Sequence, residues 1–301
     1  MRIRHADFFT HRTLSARHCP PERCHDSNFG KEQFVTADKQ AILLVAFGTT
    51  VPRAAEAFNR FETVTKSRFP DAEIRWAYTS SIVRKKLAER GVRKECTGEA
   101  LEQLACDGYR RVAVQSLHTI AGAEYHKMLR EISLFRHKPV ARNITVSIGK
   151  PLLLSYADAD RMARAMVDGA PVERKHYEAL VFMGHGSKHH ASDLAYVALA
   201  SMLNAIDSRA WLGTVEGHPT LGEVLSECKA SGCHTAWLIP CMAIAGDHAM
   251  NDMAGDDDNS WKSALEKKDI ICKTVLTGTL DNEAIRDIWL DHLQCALRET
   301  K

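Results

Sequence analysis

The chain predicts an α/β protein: two similar Rossmann-like domains, each a parallel sheet flanked by helices. Three observations predict this. From residue 41 onward, short apolar runs alternate with amphipathic stretches, the pattern of buried parallel strands joined by helices. The alternation runs through twice. And each half opens on an apolar run ending in glycine and a hydroxyl residue, "LLVAFGTT" and "LVFMGHGSK". A length of 301 residues, 45% hydrophobic and 26% charged, suits two compact units with cores of their own. The boundaries expected are 41–150 and 151–301, with the closing helix free to pack back on the first domain.

Taken in order, "AILLVAF" (41–47) is a buried strand, followed by Gly48-Thr49-Thr50 and the amphipathic "PRAAEAFNRFETVTKSRF". "EIRWAYTS" is a second strand, "IVRKKLAERG" and "CTGEALEQLACDGY" are helices, "RRVAVQSL" is a third strand and "NITVSIGKPLL" contains a fourth. The second half repeats the scheme. "EALVFMGHGS" (178–187) is a strand and turn, "SDLAYVALASMLNAI" a helix, "AWLGTVEG" a strand, "LGEVLSECKASGC" a helix and "HTAWLIPC" a strand. "DNSWKSALEKKD" is a helix with Asn259 or Ser260 as its N-cap, "CKTVLTG" the last strand and "AIRDIWLDHLQCALRE" the closing helix.

Residues 1–40 stand apart. They show no helical or strand period, hold four of the 15 histidines, and carry seven Lys/Arg against five Asp/Glu, the whole of the formal net charge of +2. They read as a flexible N-terminal extension. That near-neutral balance gives no footing for nucleic acid or an anionic membrane. No apolar run reaches the length that spans a bilayer. The nine cysteines are odd in number and form no C-x-x-C pair, which fits reduced thiols and a cytoplasmic location. There is no G-x-G-x-x-G after the first strand and no G-x-x-x-x-G-K-[ST], so no nucleotide cofactor is expected. H-E-x-x-H and G-x-S-x-G are missing too. The sequence leaves a homo-oligomer open.

The two halves overlay. An offset of 138 pairs Phe47 with His185, Gly48 with Gly186, and Tyr78 with Glu216; an offset of 124 pairs Gly122 with Gly246 and Glu124 with His248. His185, Glu216 and His248 therefore fall at the ends of three strands in one half, and Glu124 at a strand end in the other. Parallel topology brings such ends to one edge, where α/β proteins bind ligands. Two imidazoles and a carboxylate form an N/O set suited to Co²⁺, Ni²⁺, Fe²⁺ or Zn²⁺. Asp247 or Asp252 is placed to orient the His248 ring. Against this, any one strand-end histidine is more often structural, "GHGS" also fits a phosphate-binding turn, and Glu124 also suits a helix start. His118, His126, His189, His190 and His218 are weaker candidates.

"FMGHGS", "GTVEGHP", "PCMAIAGDHAMNDMAGDDDNSWK" and "VQSLHTIAGAEYHKM" together resemble the anaerobic cobalt chelatases, the sirohydrochlorin cobaltochelatases of cobalamin biosynthesis. The resemblance runs from about residue 40 to the C-terminus. It implies a class II chelatase fold with the tetrapyrrole in the cleft between the domains, and ATP-independent insertion of Co²⁺ as the substrate metal. It also implies active-site roles for His185 and His248, a metal-liganding role for Glu216, and an active-site carboxylate at Glu124. The expected partners are thus sirohydrochlorin and a divalent metal. Arg53, Arg84, Lys85, Lys86 and Lys188 are candidates for the substrate's carboxylates. Iron insertion of the ferrochelatase kind is the nearest alternative, then a non-catalytic metal or tetrapyrrole carrier, then a metallohydrolase.

Overall fold

A computed structural model describes residues 39–187 and 191–300. The extension expected over residues 1–40 lies almost wholly outside the described residues, as do Lys188, His189 and His190. The first sheet is parallel, in the order β2-β1-β3-β4. Its strands are β1 (Gln40–Ala46), β2 (Glu73–Tyr78), β3 (Arg111–Ser116) and β4 (Thr145–Gly149). The second sheet is parallel in the order β6-β5-β7-β8, built from β5 (Ala179–Gly186), β6 (Ala210–Glu216), β7 (Thr235–Pro240) and β8 (Ile271–Thr274). β1 and β5 are inner strands covered on both faces, which is why they read as unbroken apolar runs: every residue from Ala41 to Ala46 is buried.

Helix starts follow local chemistry. α1 (Pro52–Arg68) has proline in its first turn, where no N–H is needed. In α2 (Ser81–Glu89) the Ser80 hydroxyl accepts from the Val83 amide, and α3 (Thr97–Cys106) follows with Glu99 in its first turn. Two helices lie in stretches that the periodicity left unassigned, α4 (Ala123–Arg136) and α5 (Tyr156–Asp168). α4 starts directly at Glu124's turn, so the carboxylate both opens a helix and ends a strand connection. In the second half come α6 (Leu194–Ile206), α7 (Leu221–Ala230) and α8 (Trp261–Glu266), the last capped by Ser260 and not Asn259. α9 (Glu283–Glu299) crosses back and packs on β3, β4 and α5, burying Trp289 completely. One apolar core holds Ile42 and Leu44 of β1, Leu180 and Phe182 of β5, and Ile288 and Leu293 of α9. No described helix is long and apolar enough to cross a membrane.

The register tests the overlay of the two halves. Val45 lies beside Ser116, and Met183 beside Pro240, so β1 onto β5 by 138 carries β3 onto β7 by 124, as expected. The second strands differ. Ala46 lies beside Tyr78, but Gly184 lies beside Thr214. Tyr78 therefore corresponds to Thr214, and Glu216 stands two residues further along, at the place of Ser80. The 138 pairing of Tyr78 with Glu216 is corrected by this shift. A β-ladder is set by hydrogen bonds between strands, and two short strands need not keep the spacing of their neighbours.

Candidate functional site

Both strand-end turns require glycine. Gly48 and Gly186 have φ of 95° and 77°, a region that side chains disfavour. Each also gives up its Cβ space to the second strand of its sheet. A Cβ on Gly48 would lie 2.6 Å from the Tyr78 ring, and one on Gly186 would lie 2.2 Å from the Glu216 carbonyl oxygen. Gly186 thus lets β5 end tightly against β6, while Gly184 on the other side of His185 makes room for the Tyr196 ring of the helix that follows, 2.7 Å from where its Cβ would lie.

The edges of the two sheets meet at two related points. A Cβ on Gly246, in the loop after β7, would lie 3.8 Å from the Thr49 hydroxyl in the turn after β1. A Cβ on Gly122, in the loop after β3, would lie 3.7 Å from the Ser192 hydroxyl beyond β5. Each half therefore lays the loop of its third strand against the central turn of the other. The segment that follows β8 braces the first of these loops. The Thr279 amide donates to the Met242 carbonyl at 2.8 Å and the Leu280 amide to the Ala243 carbonyl at 3.0 Å.

His185 and His248 come together at this edge. Their rings meet edge to face, with centroids 4.7 Å apart and planes at 83°. The Nδ1 of His185 is 2.9 Å from its neighbour Gly186's carbonyl oxygen, and the Nδ1 of His248 is 2.5 Å from the Asp252 carboxylate. Both contacts engage Nδ1 and not Nε2. Of the two aspartates considered for orienting His248, the structure selects Asp252; Asp247 instead accepts from the Asn251 side chain at 2.9 Å. A single π-turn over Ala249–Met253 follows His248, and such turns recur at functional sites.

Glu216 and Glu124 are placed differently. Glu216 is exposed at the end of β6, in register with Gly186, and its side chain makes no hydrogen bond or ion pair among the described residues. Among the described residues no three His, Cys, Asp or Glu side chains are gathered closely enough to hold a metal. The structure thus pairs the two imidazoles and leaves the Glu216 carboxylate apart from them. Glu124 sits in the first turn of α4. Its Oε2 is buried without a hydrogen-bond partner, with the Lys127 ammonium 3.8 Å away. Lys127 in turn donates to the Thr79 carbonyl at the end of β2. In the sequence Lys127 carries one signal only, its place one turn after Glu124.

Of the weaker candidates, His189 and His190 lie outside the described residues and the other three have contacts of their own. His118, just after β3, is half-buried, with its Nδ1 2.9 Å from the Ser116 hydroxyl and its Nε2 3.3 Å from the Thr79 hydroxyl. Burial pulls its pKa down from 6.5 to about 4. Below about pH 6.5 the unfolded chain takes up a proton that the native state refuses, so stability falls as pH drops toward the folded value. This group alone is expected to remove about 2 kcal/mol between about pH 7.5 and about pH 5. Urea midpoints of wild type and His118→Gln at the two pH values check it; equal falls would exclude the assignment. His126 turns its Nδ1 to the Gly122 carbonyl, 2.9 Å away, and His218 stands 3.8 Å from Glu223. Of the basic candidates, Arg84 is spent on the Tyr78 carbonyl at 2.7 Å, while Arg53, Lys85 and Lys86 are exposed.

Comparison with known proteins gives the following. The family described as cobalt chelatase (CbiK) matches residues 40–298. A protein named sirohydrochlorin cobaltochelatase CbiKC, from Nitratidesulfovibrio vulgaris, is 38% identical over 278 residues, 92% of this chain and 98% of that protein. The sirohydrochlorin cobaltochelatase of Salmonella typhimurium is 38% identical over 261 residues, covering 86% of this chain and 97% of the relative. Among solved structures, SirB from Bacillus subtilis with Fe³⁺ superposes with a TM-score of 0.60 at 18% identity, over 87% of this chain and 95% of that one. CbiX, the terminal enzyme for biosynthesis of siroheme in denitrifying bacteria, gives a TM-score of 0.54 at 16% identity, over 85% and 99%. The two superpositions speak for the fold, which is the class II chelatase fold expected from the sequence.

Proposed function

Because the chain belongs to the cobalt chelatase (CbiK) family, we propose that it inserts Co²⁺ into sirohydrochlorin, a step of cobalamin biosynthesis, without ATP. The observation that carries the chemistry is the imidazole pair, with rings 4.7 Å apart and both Nδ1 atoms engaged. A neutral imidazole fixed through Nδ1 presents Nε2 as a ligand of borderline softness, matched to Co²⁺. In this reading His185 and His248 take Co²⁺ from water, and Glu216 swings in as the carboxylate ligand. Glu216 is exposed and its side chain has no partner among the described residues, which supports that movement.

Insertion exchanges one Co²⁺ for two pyrrole N–H protons. Each proton needs an acceptor within reach as the metal enters the ring. Glu124, from the other half, accepts the first at its carboxylate, whose Oε2 has no hydrogen-bond partner among the described residues. The second passes to an imidazole released from the departing metal. No side chain forms a covalent bond to the substrate in this scheme. The working unit in this proposal is a pair of domains, 41–150 and 151–301, with α9 of the second covering the sheet of the first.

The test is anaerobic, with purified protein, Co²⁺ and sirohydrochlorin followed by absorbance. Cobalt insertion well above the rate of metal and macrocycle alone is the expected result. A rate no higher than that background would overturn the reading.

A further inference from the structure

We infer that the Phe47 side chain is the platform for one face of the macrocycle, so that sirohydrochlorin lies between this ring and the imidazole pair. The inference rests on the proposed function and adds a specificity-determining residue to it.

The register makes Phe47 the counterpart of His185. Val45 beside Ser116 matches Met183 beside Pro240, so two residues further along each half stands Phe47 or His185. Both are followed by a left-handed glycine, Gly48 or Gly186. The same turn therefore offers an imidazole in one half and an aromatic ring in the other. Phe47 is 44% exposed, directly after six buried residues of β1. Nothing in the packing of the core explains that exposure. A large aromatic ring left in water on a binding edge gains apolar burial when a flat ligand covers it.

The ring also lies on the correct edge. The turn that holds Phe47 meets the loop leading to His248, through the approach of Thr49 to Gly246. Two more exposed apolar side chains share this edge: Ile82 in the first turn of α2, and Met250 two residues past His248. A tetrapyrrole is a conjugated disc with a charged rim. It needs apolar contact on its face and polar partners at its margin. An aromatic face from one half and metal ligands from the other let the metal approach one side of the disc while the other side is held.

The test titrates metal-free sirohydrochlorin by absorbance, and Co²⁺ separately, into wild type, Phe47→Ala and Phe47→Trp. Phe47→Ala is expected to raise the Kd and KM for sirohydrochlorin about tenfold, with Co²⁺ affinity unchanged. Phe47→Trp is expected to restore binding to within about threefold of wild type. Leu134→Ala, an exposed apolar residue at the far end of α4, serves as the control for loss of any surface side chain. Wild-type binding by Phe47→Ala, or an equal loss of Co²⁺ affinity, would overturn the inference while leaving cobalt insertion by the wild type intact. A wild type that neither binds nor metallates sirohydrochlorin would overturn the proposed function itself, and Phe47's role with it.

Discussion

Replacing His185 or His248 with alanine is expected to lower cobalt insertion about a hundredfold or more, with the fold retained. Each imidazole makes one hydrogen bond through Nδ1, His185 to the next residue's carbonyl and His248 to Asp252. The stability at stake in either variant is therefore about 1 kcal/mol. The loss of function is larger because a metal held by two nitrogen ligands is released when one is removed. Because the rings act as a unit, the double variant is expected to be little worse than either single one. Co²⁺ titration by its visible absorption, beside steady-state rates and a thermal melt, separates the effects. Full insertion rates in both single variants would exclude the pair as the metal site.

A second large effect is expected from Gly186→Ala, and here stability and site fail together. The position has φ of 77°, and an alanine Cβ would stand 2.2 Å from the Glu216 carbonyl oxygen and 2.8 Å from its carbon. The left-handed backbone costs about 1 kcal/mol, and forcing β6 away from β5 adds about 1–3 kcal/mol. Gly91→Ala supplies the comparison. Its φ is 78° but nothing lies within 4 Å of the added carbon, so only the backbone cost is expected there. The difference in urea midpoints between the two variants isolates the steric contribution. Gly186→Ala is also expected to weaken Co²⁺ binding, since His185 precedes it and Glu216 is displaced. Equal destabilisation of the two variants would show that β6 yields freely at this point.

The offset of 124 between "TIAGAEYH" and "AIAGDHAM" survived in the register because each motif directly follows its strand. The offset of 138 failed for the second strands. Glu216 lies two residues beyond the equivalent of Tyr78, and nothing in a single strand records where its neighbour stops. Helices α4 and α5 stood unassigned although each carries an apolar face, Met128, Ile132 and Phe135 on α4 and Ala159, Met162, Ala163 and Met166 on α5. Those faces are covered by α3 on the one helix and by α6 and α9 on the other.

By itself the sequence determined the two parallel sheets, the places of His185 and Glu216 at the ends of their strands, and the matching glycine turns after the first strand of each half. These follow from period, from apolar runs and from glycine, all of which act within a few residues. His248 and Glu124 stand eight residues past β7 and β3, in the loop and helix start that follow. Only the tertiary structure decided that the two imidazoles touch, that Asp252 and not Asp247 orients His248, that Glu216 stands apart, and that α9 covers the opposite sheet. Those outcomes depend on how strands register and how loops from different halves meet. Such contacts join residues tens to hundreds of positions apart, and no local pattern encodes them.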